Sequence, residues 1–151
     1  MKNMLKNVTI VGAGTQGSML AFRSAAFGRT VCLYDLQESQ LESAMSKIHN
    51  WFGDWVEKDL LSPDSAAAAY NSIRISMDIT DALKDCDIVI ENVPEKLNLK
   101  QNVWEQIDAA APEKTLLTTN SSSLKSSDIN IKVNRKEKTF NINFMTPTTD
   151  D

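Results

Sequence analysis

Val8-Thr9-Ile10-Val11-Gly12-Ala13-Gly14-Thr15-Gln16-Gly17 is the stretch that decides the fold. Its first four residues are β-branched and, but for the Thr9 hydroxyl, apolar, the mark of a strand buried on both faces of a parallel sheet rather than one with a wet side. Three glycines follow in a Gly-x-Gly-x-x-Gly arrangement. A helix is expected over about 15–27, closed by Gly28 beyond its last turn. Thr30-Val31-Cys32-Leu33-Tyr34 reads as a second short strand that ends on Asp35. Together these pieces make a βαβ unit of about 30 residues, the length at which such a crossover closes.

Downstream, Leu41, Met45, Ile48, Phe52, Trp55 and Val56 recur at helical spacing, so one long amphipathic helix is expected over about 41–60. Ser62-Pro63 has the form of a cap and first helical position, opening a second helix through the alanines 66–69. Strands are expected at 73–77, 87–91, 115–119 and 139–144, with a helix over about 97–111. Alternation of strands with helices predicts an α/β fold: a Rossmann-type, doubly wound, mostly parallel sheet with a helical hairpin inserted after the second strand.

The glycine spacing has a chemical meaning only in this context. After a strand and at the mouth of a helix, Gly12 can make the tight turn, Gly14 can let backbone approach a pyrophosphate, and Gly17 can allow close packing of helix on sheet. Thr15 and Gln16 lie in the first helical turn, where free N–H groups and the positive end of the helix dipole suit phosphate. Asp35 falls about twenty residues past Gly14, at the strand end where a carboxylate accepts hydrogen bonds from an adenosine ribose. A 2′-phosphate there would meet a like charge, and Leu36, Gln37 and Glu38 supply no arginine to neutralise one. The expected cofactor is NAD rather than NADP.

Bulk properties narrow the partners. With 151 residues, of which 42% are hydrophobic and 24% charged, the chain has the balance of an ordinary globular domain and material for one core. Sixteen basic residues against twenty acidic ones, scattered without a basic stripe, argue against nucleic acid. Cys32 and Cys86 have neither metal-site spacing nor disulfide density and are expected to be reduced core thiols. The basic start, residues 1–6, lacks the apolar stretch of a signal peptide, and no run approaches the roughly 20 apolar residues of a membrane span. Cytoplasmic residence is the expectation, with no membrane partner.

Glu91-Asn92-Val93-Pro94-Glu95 after the fourth strand and Asn120-Ser121-Ser122-Ser123-Leu124 after the fifth, together with the hairpin, resemble the NAD-binding domain of the 3-hydroxyacyl-CoA dehydrogenases along essentially the whole chain. The resemblance implies an oxidoreductase of fatty acid metabolism that interconverts a 3-hydroxyacyl thioester, on CoA or an acyl carrier, and its 3-oxoacyl form. It implies that Glu95 and Lys100 line the cofactor near its nicotinamide, that Ser122 hydrogen-bonds the substrate oxygen, that Asn120 supports the site, and that Lys58 meets the CoA moiety. The serines and Asn120 also have a purely structural reading, as caps of a short helix beginning near Leu124.

Two departures stand out. Where the family carries a catalytic histidine in a His-Phe-Phe-Asn-Pro-like run, this chain reads Asn143-Phe144-Met145-Thr146-Pro147. An amide cannot act as a general base, a role typically worth about 10²–10⁴-fold in rate, although Asn143 can still donate a hydrogen bond to a carbonyl. His49, the one histidine present, falls on the hairpin helix and is expected to be surface or interface packing. Secondly, the family's helical substrate and dimerisation domain is absent after Asp151. Residues 145–151 read as its opening, so the alternatives are a chain cut at the domain boundary, joined in cis or in trans by a helical domain and dimeric through it, and a catalytically silent NAD-binding module. Trp51, Phe52 and Trp55 suit either a surface covered by that missing part or core packing.

Overall fold

The computed structural model describes residues 5–144. Six strands, β1 (Asn7–Val11), β2 (Thr30–Tyr34), β3 (Ile73–Ser76), β4 (Ile88–Glu91), β5 (Leu116–Thr119) and β6 (Thr139–Asn141), form one sheet in the order β3-β2-β1-β4-β5-β6. Every pairing is parallel. The chain winds outward from β1 to β3, then returns to lay β4 on the other side of β1. That reversal opens a crevice beyond the carboxyl ends of β1 and β4, the position at which doubly wound sheets bind ligands.

Alternate side chains of the strands feed two cores, as expected for strands buried on both faces. Val8, Ile10, Val31 and Leu33 pack beneath α1 (Thr15–Ala26), α2 (Glu38–Glu57) and α3 (Pro63–Asn71). Val11, Val89 and Leu117 pack with Leu83 of α4 (Ile79–Leu83) and with Trp104 and Ile107 of α5 (Leu97–Ala110). Arg135, ahead of β6, donates to Asp108 Oδ1 and to the carbonyls of Asp108, Ala111 and Pro112, tying the end of α5 to the last strand.

Local chemistry explains most boundaries. Gly28 adopts φ +82° just beyond α1, and Ser62 Oγ accepts from Ser65 N at the start of α3, both as expected. The long helix starts at Glu38, ahead of the expected 41, because its exposed first turn carries no apolar period to reveal it. It stops at Glu57, where Asp59 turns left-handed at φ +55°. Asp78 Oδ1 caps α4 through Thr80 N at 2.8 Å, but five residues are too few for a periodic signal, so that helix was not foreseen. The last strand ends at Asn141 and not at 144; Ile142 N still bonds Thr119 O, and Phe144 N turns to the side chain of Asn120 instead.

The aromatic cluster resolves as core packing. Phe22 of α1 meets Trp51, Phe52 and Trp55 of α2 at ring-centroid distances of 5.6, 4.7 and 4.8 Å. His49 is exposed and rests edge-on against Tyr70 of α3, so it is surface packing. Cys32 and Cys86 are free and buried. Among the described residues no helix is long and apolar enough to cross a membrane.

Candidate active site

The glycine loop is shaped by what each glycine must avoid. Gly12 sits at φ +103°, and a Cβ there would lie 3.0 Å from the Asn92 carbonyl. At Gly17 a Cβ would fall 1.8 Å from the Gly12 oxygen, so α1 can lie this close to β1 only with hydrogen there. Gly14 differs from both: a Cβ would meet no protein atom within 4 Å. Open space beside a helix N-terminus, with no side-chain cap and no acid in the first turn, is what a pyrophosphate needs. Gly14, Thr15 and Gln16 are exposed there.

Asp35 stands at the end of β2, with Oδ2 accepting from Ala13 N at 2.9 Å and Oδ1 from Gln37 N at 3.0 Å. Its carboxylate therefore also braces the glycine loop, a role that residue spacing does not reveal. Each oxygen keeps acceptor capacity for a ribose hydroxyl.

Across the crevice, the loops after β4 and β5 are held by a buried polar network. Glu91, inaccessible to solvent, accepts from Val93 N at 2.7 Å, from Thr119 Oγ1 at 2.7 Å and from Lys100 Nζ at 2.7 Å. Lys100 is 1% exposed and donates also to Val93 O at 3.0 Å. It stands behind Glu95, with its ammonium 3.6 Å from Glu95 Oε2, and not on the crevice surface. Glu95 Oε1 accepts from Ser121 and, at 2.9 Å, from Ser123. Partial burial pushes the Glu95 carboxyl up, but these hydroxyls and the Lys100 charge outweigh it and hold the group below its ordinary range.

Ser122 is exposed, between two engaged serines. Asn120 donates to Asn92 Oδ1 at 2.8 Å and accepts from Phe144 N at 2.9 Å, so it links the ends of β4 and β5 to the segment carrying Asn143, which is itself exposed. The capping reading does not hold: α6 (Ser126–Ile129) begins two residues later than expected with Lys125 at its N-cap and no side-chain cap, and Ser121 Oγ instead accepts from Leu124 N at 2.8 Å in the turn ahead of it. Lys58 lies outside this cluster. It closes α2 through its N–H to Asp54 O, and the twenty residues of that helix carry it about 30 Å from the end that follows Asp35. Residues 145–151, the expected opening of a further domain, lie outside the described residues.

Glu91, Asn92 and Ser121 were not among the expected site residues. An acid ending an otherwise apolar strand, nine positions before a lysine on the following helix, was the available signal for Glu91. Nothing in the serine run marks which hydroxyl turns inward.

The model of the 3-hydroxyacyl-CoA dehydrogenase NAD-binding domain matches residues 7–149. The chain belongs to this family. It is 34% identical over 149 residues to a probable 3-hydroxyacyl-CoA dehydrogenase of Caenorhabditis elegans, covering 95% of this chain and 48% of that protein. A 3-hydroxybutyryl-CoA dehydrogenase of Bradyrhizobium diazoefficiens is 28% identical over 147 residues, covering 97% and 50%. Among solved structures, a 3-hydroxybutyryl-CoA dehydrogenase from Escherichia coli superimposes with a TM-score of 0.91 at 30% identity, covering 95% of this chain and 30% of that one. The chain therefore spans half or less of the length of these relatives. For an NAD-binding domain of this family the glycine loop, the open space at Gly14 and the acid ending β2 fit the cofactor.

Proposed function

We propose that this chain is the cofactor-binding part of an NAD-dependent 3-hydroxyacyl-thioester dehydrogenase that interconverts 3-hydroxyacyl and 3-oxoacyl forms. The observation that carries the reading is that the glycine loop after β1 and the Glu95-clamped serine loop after β5 stand at the same ends of one parallel sheet, in the family's own sequence frame. When bound, NAD supplies the hydride acceptor.

The chain's residues do the rest. Gly12, Gly14, Thr15, Gln16 and Gly17 take the pyrophosphate, and Asp35 takes the adenosine ribose. Glu95 borders the nicotinamide end, backed by Lys100. Ser122 hydrogen-bonds the substrate oxygen, Asn120 holds the loop that carries it, and Asn143 donates to the same oxygen without serving as its base. Lys58 is assigned to the CoA end on family spacing alone. The substrate is an acyl-CoA or acyl-carrier thioester, the partner a helical substrate domain through which the protein dimerises, and the compartment the cytoplasm.

Calorimetry with NADH and NADPH tests the cofactor side. NADH is expected to bind and NADPH to bind more weakly, because its 2′-phosphate approaches the Asp35 carboxylate. Absence of NADH binding, or a preference for NADPH, would sink the proposal.

A further inference from the structure

One carboxylate joins the two loops of the crevice. Glu95, from the β4 side, receives hydroxyls from Ser121 and Ser123 of the β5 side on a single oxygen. Ser121 is buried, whereas Ser122 between them is exposed and makes no hydrogen bond among the described residues. The other Glu95 oxygen faces the Lys100 ammonium, which cannot swing away, since it is 1% exposed and fixed by Glu91 Oε1 and Val93 O. Glu91 is in turn fixed by Thr119 of β5 and the backbone of Val93.

We propose that Glu95 is a positioning residue for Ser122: the buried Glu91–Lys100 pair holds its carboxylate between β4 and β5, and the carboxylate clamps the serines on either side, so that Ser122 alone is presented to the crevice. The use made of Ser122 rests on the function proposed above; the clamp itself does not. A carboxylate that receives two hydroxyls is a stronger anchor than a neutral acceptor, because hydrogen bonds to a charged oxygen are the stronger kind. The depressed titration of Glu95 agrees with that arrangement. The same side chain thereby links the loop expected to border the cofactor with the loop expected to meet the substrate.

The experiment needs no ligand, so its outcome is separate from that of the NADH titration. The whole chain, labelled with ¹³C at its glutamate carboxyls, is titrated by NMR as wild type, S123A, S123T, E95Q and E95A, with exchange followed at the Leu124 amide, which donates to Ser121 Oγ. Ser123 is exposed, so its variants stay folded. S123A removes one bond to a charged group, so Glu95 should titrate closer to its ordinary range and the Leu124 amide should exchange about tenfold faster. S123T, which keeps the hydroxyl, should restore both. E95Q, which keeps an acceptor oxygen, should retain more protection at the Leu124 amide than E95A. A loop held instead by Asn141, whose Nδ2 donates to the Ser121 and Leu124 carbonyls, and by the bond from Leu124 N to Ser121 Oγ would leave the Glu95 titration in S123A as in wild type, and that result overturns the proposal, as does equal exchange in E95A and wild type.

Discussion

Gly14 at the N-cap of α1 and Gly17 in its first turn are three positions apart and lack a side chain for opposite reasons. Gly17 has no room for a Cβ inside the protein, whereas Gly14 has room that nothing in the protein fills. Gly17→Ala must push α1 off β1 and should cost about 1–3 kcal/mol, the usual penalty for overpacking, seen as a lower urea midpoint. Gly14→Ala should shift stability by no more than about 0.5 kcal/mol while weakening NADH binding measurably. Equal melting losses in the two variants would contradict this division. Asn143 makes a second residue-level prediction. If proton removal is what the chain lacks, Asn143→His, assayed with the helical domain present, should raise oxidation of a 3-hydroxyacyl-CoA by about 10²–10⁴-fold; an unchanged rate would give the amide a different task.

At the scale of elements, the amino edge of the sheet depends on one acid. Asp87, just ahead of β4, accepts from Lys6 N and Asn7 N at the start of β1 and pairs with Lys114 before β5. Burial pushes its carboxyl up, yet the Lys114 ammonium and the two backbone donors outweigh that and hold it below the ordinary value. A carboxyl depressed in the folded state contributes stability that is present above its unfolded pKa, about 3.9, and is lost as the pH falls through the folded one. Urea unfolding midpoints should therefore drop on acidification below about pH 4, and Asp87→Asn should cost about 2 kcal/mol at neutral pH while flattening the acid limb. An acid limb of unchanged steepness in that variant would rule the contribution out. The elements themselves differ in how readable they were. The strands and the three longer helices show in the sequence because their apolar periods are long enough to count. The start of α2 and the whole of α4 do not, since an exposed first turn and a single capped turn leave no period.

At the scale of the whole molecule, the core on the α4 and α5 face of the sheet hides both thiols. Burial pushes Cys32 up to about 11 and raises Cys86 as well, so neither presents a thiolate near neutrality. A thiol reagent at pH 8 should leave the folded chain unmodified and label both cysteines once it is unfolded; prompt labelling of the native protein would contradict the packing described. The sequence by itself determined what is local: strands without a wet face, a loop whose three glycines and following acid suit NAD, and segments specific enough to indicate the family. Each of these demands is met by residues within a few positions of one another, or by a fixed offset along a single βαβ unit. Only the tertiary structure decided that Lys100 is a buried strut behind Glu95, that Asp35 braces the glycine loop, and that Ser121 and Ser123, but not Ser122, bond the Glu95 carboxylate. Those outcomes depend on bonds between residues 9, 22, 26 and 28 positions apart, formed when β4 and β5 come to lie side by side and β2 beside β1, and such pairings leave no periodic trace in the chain.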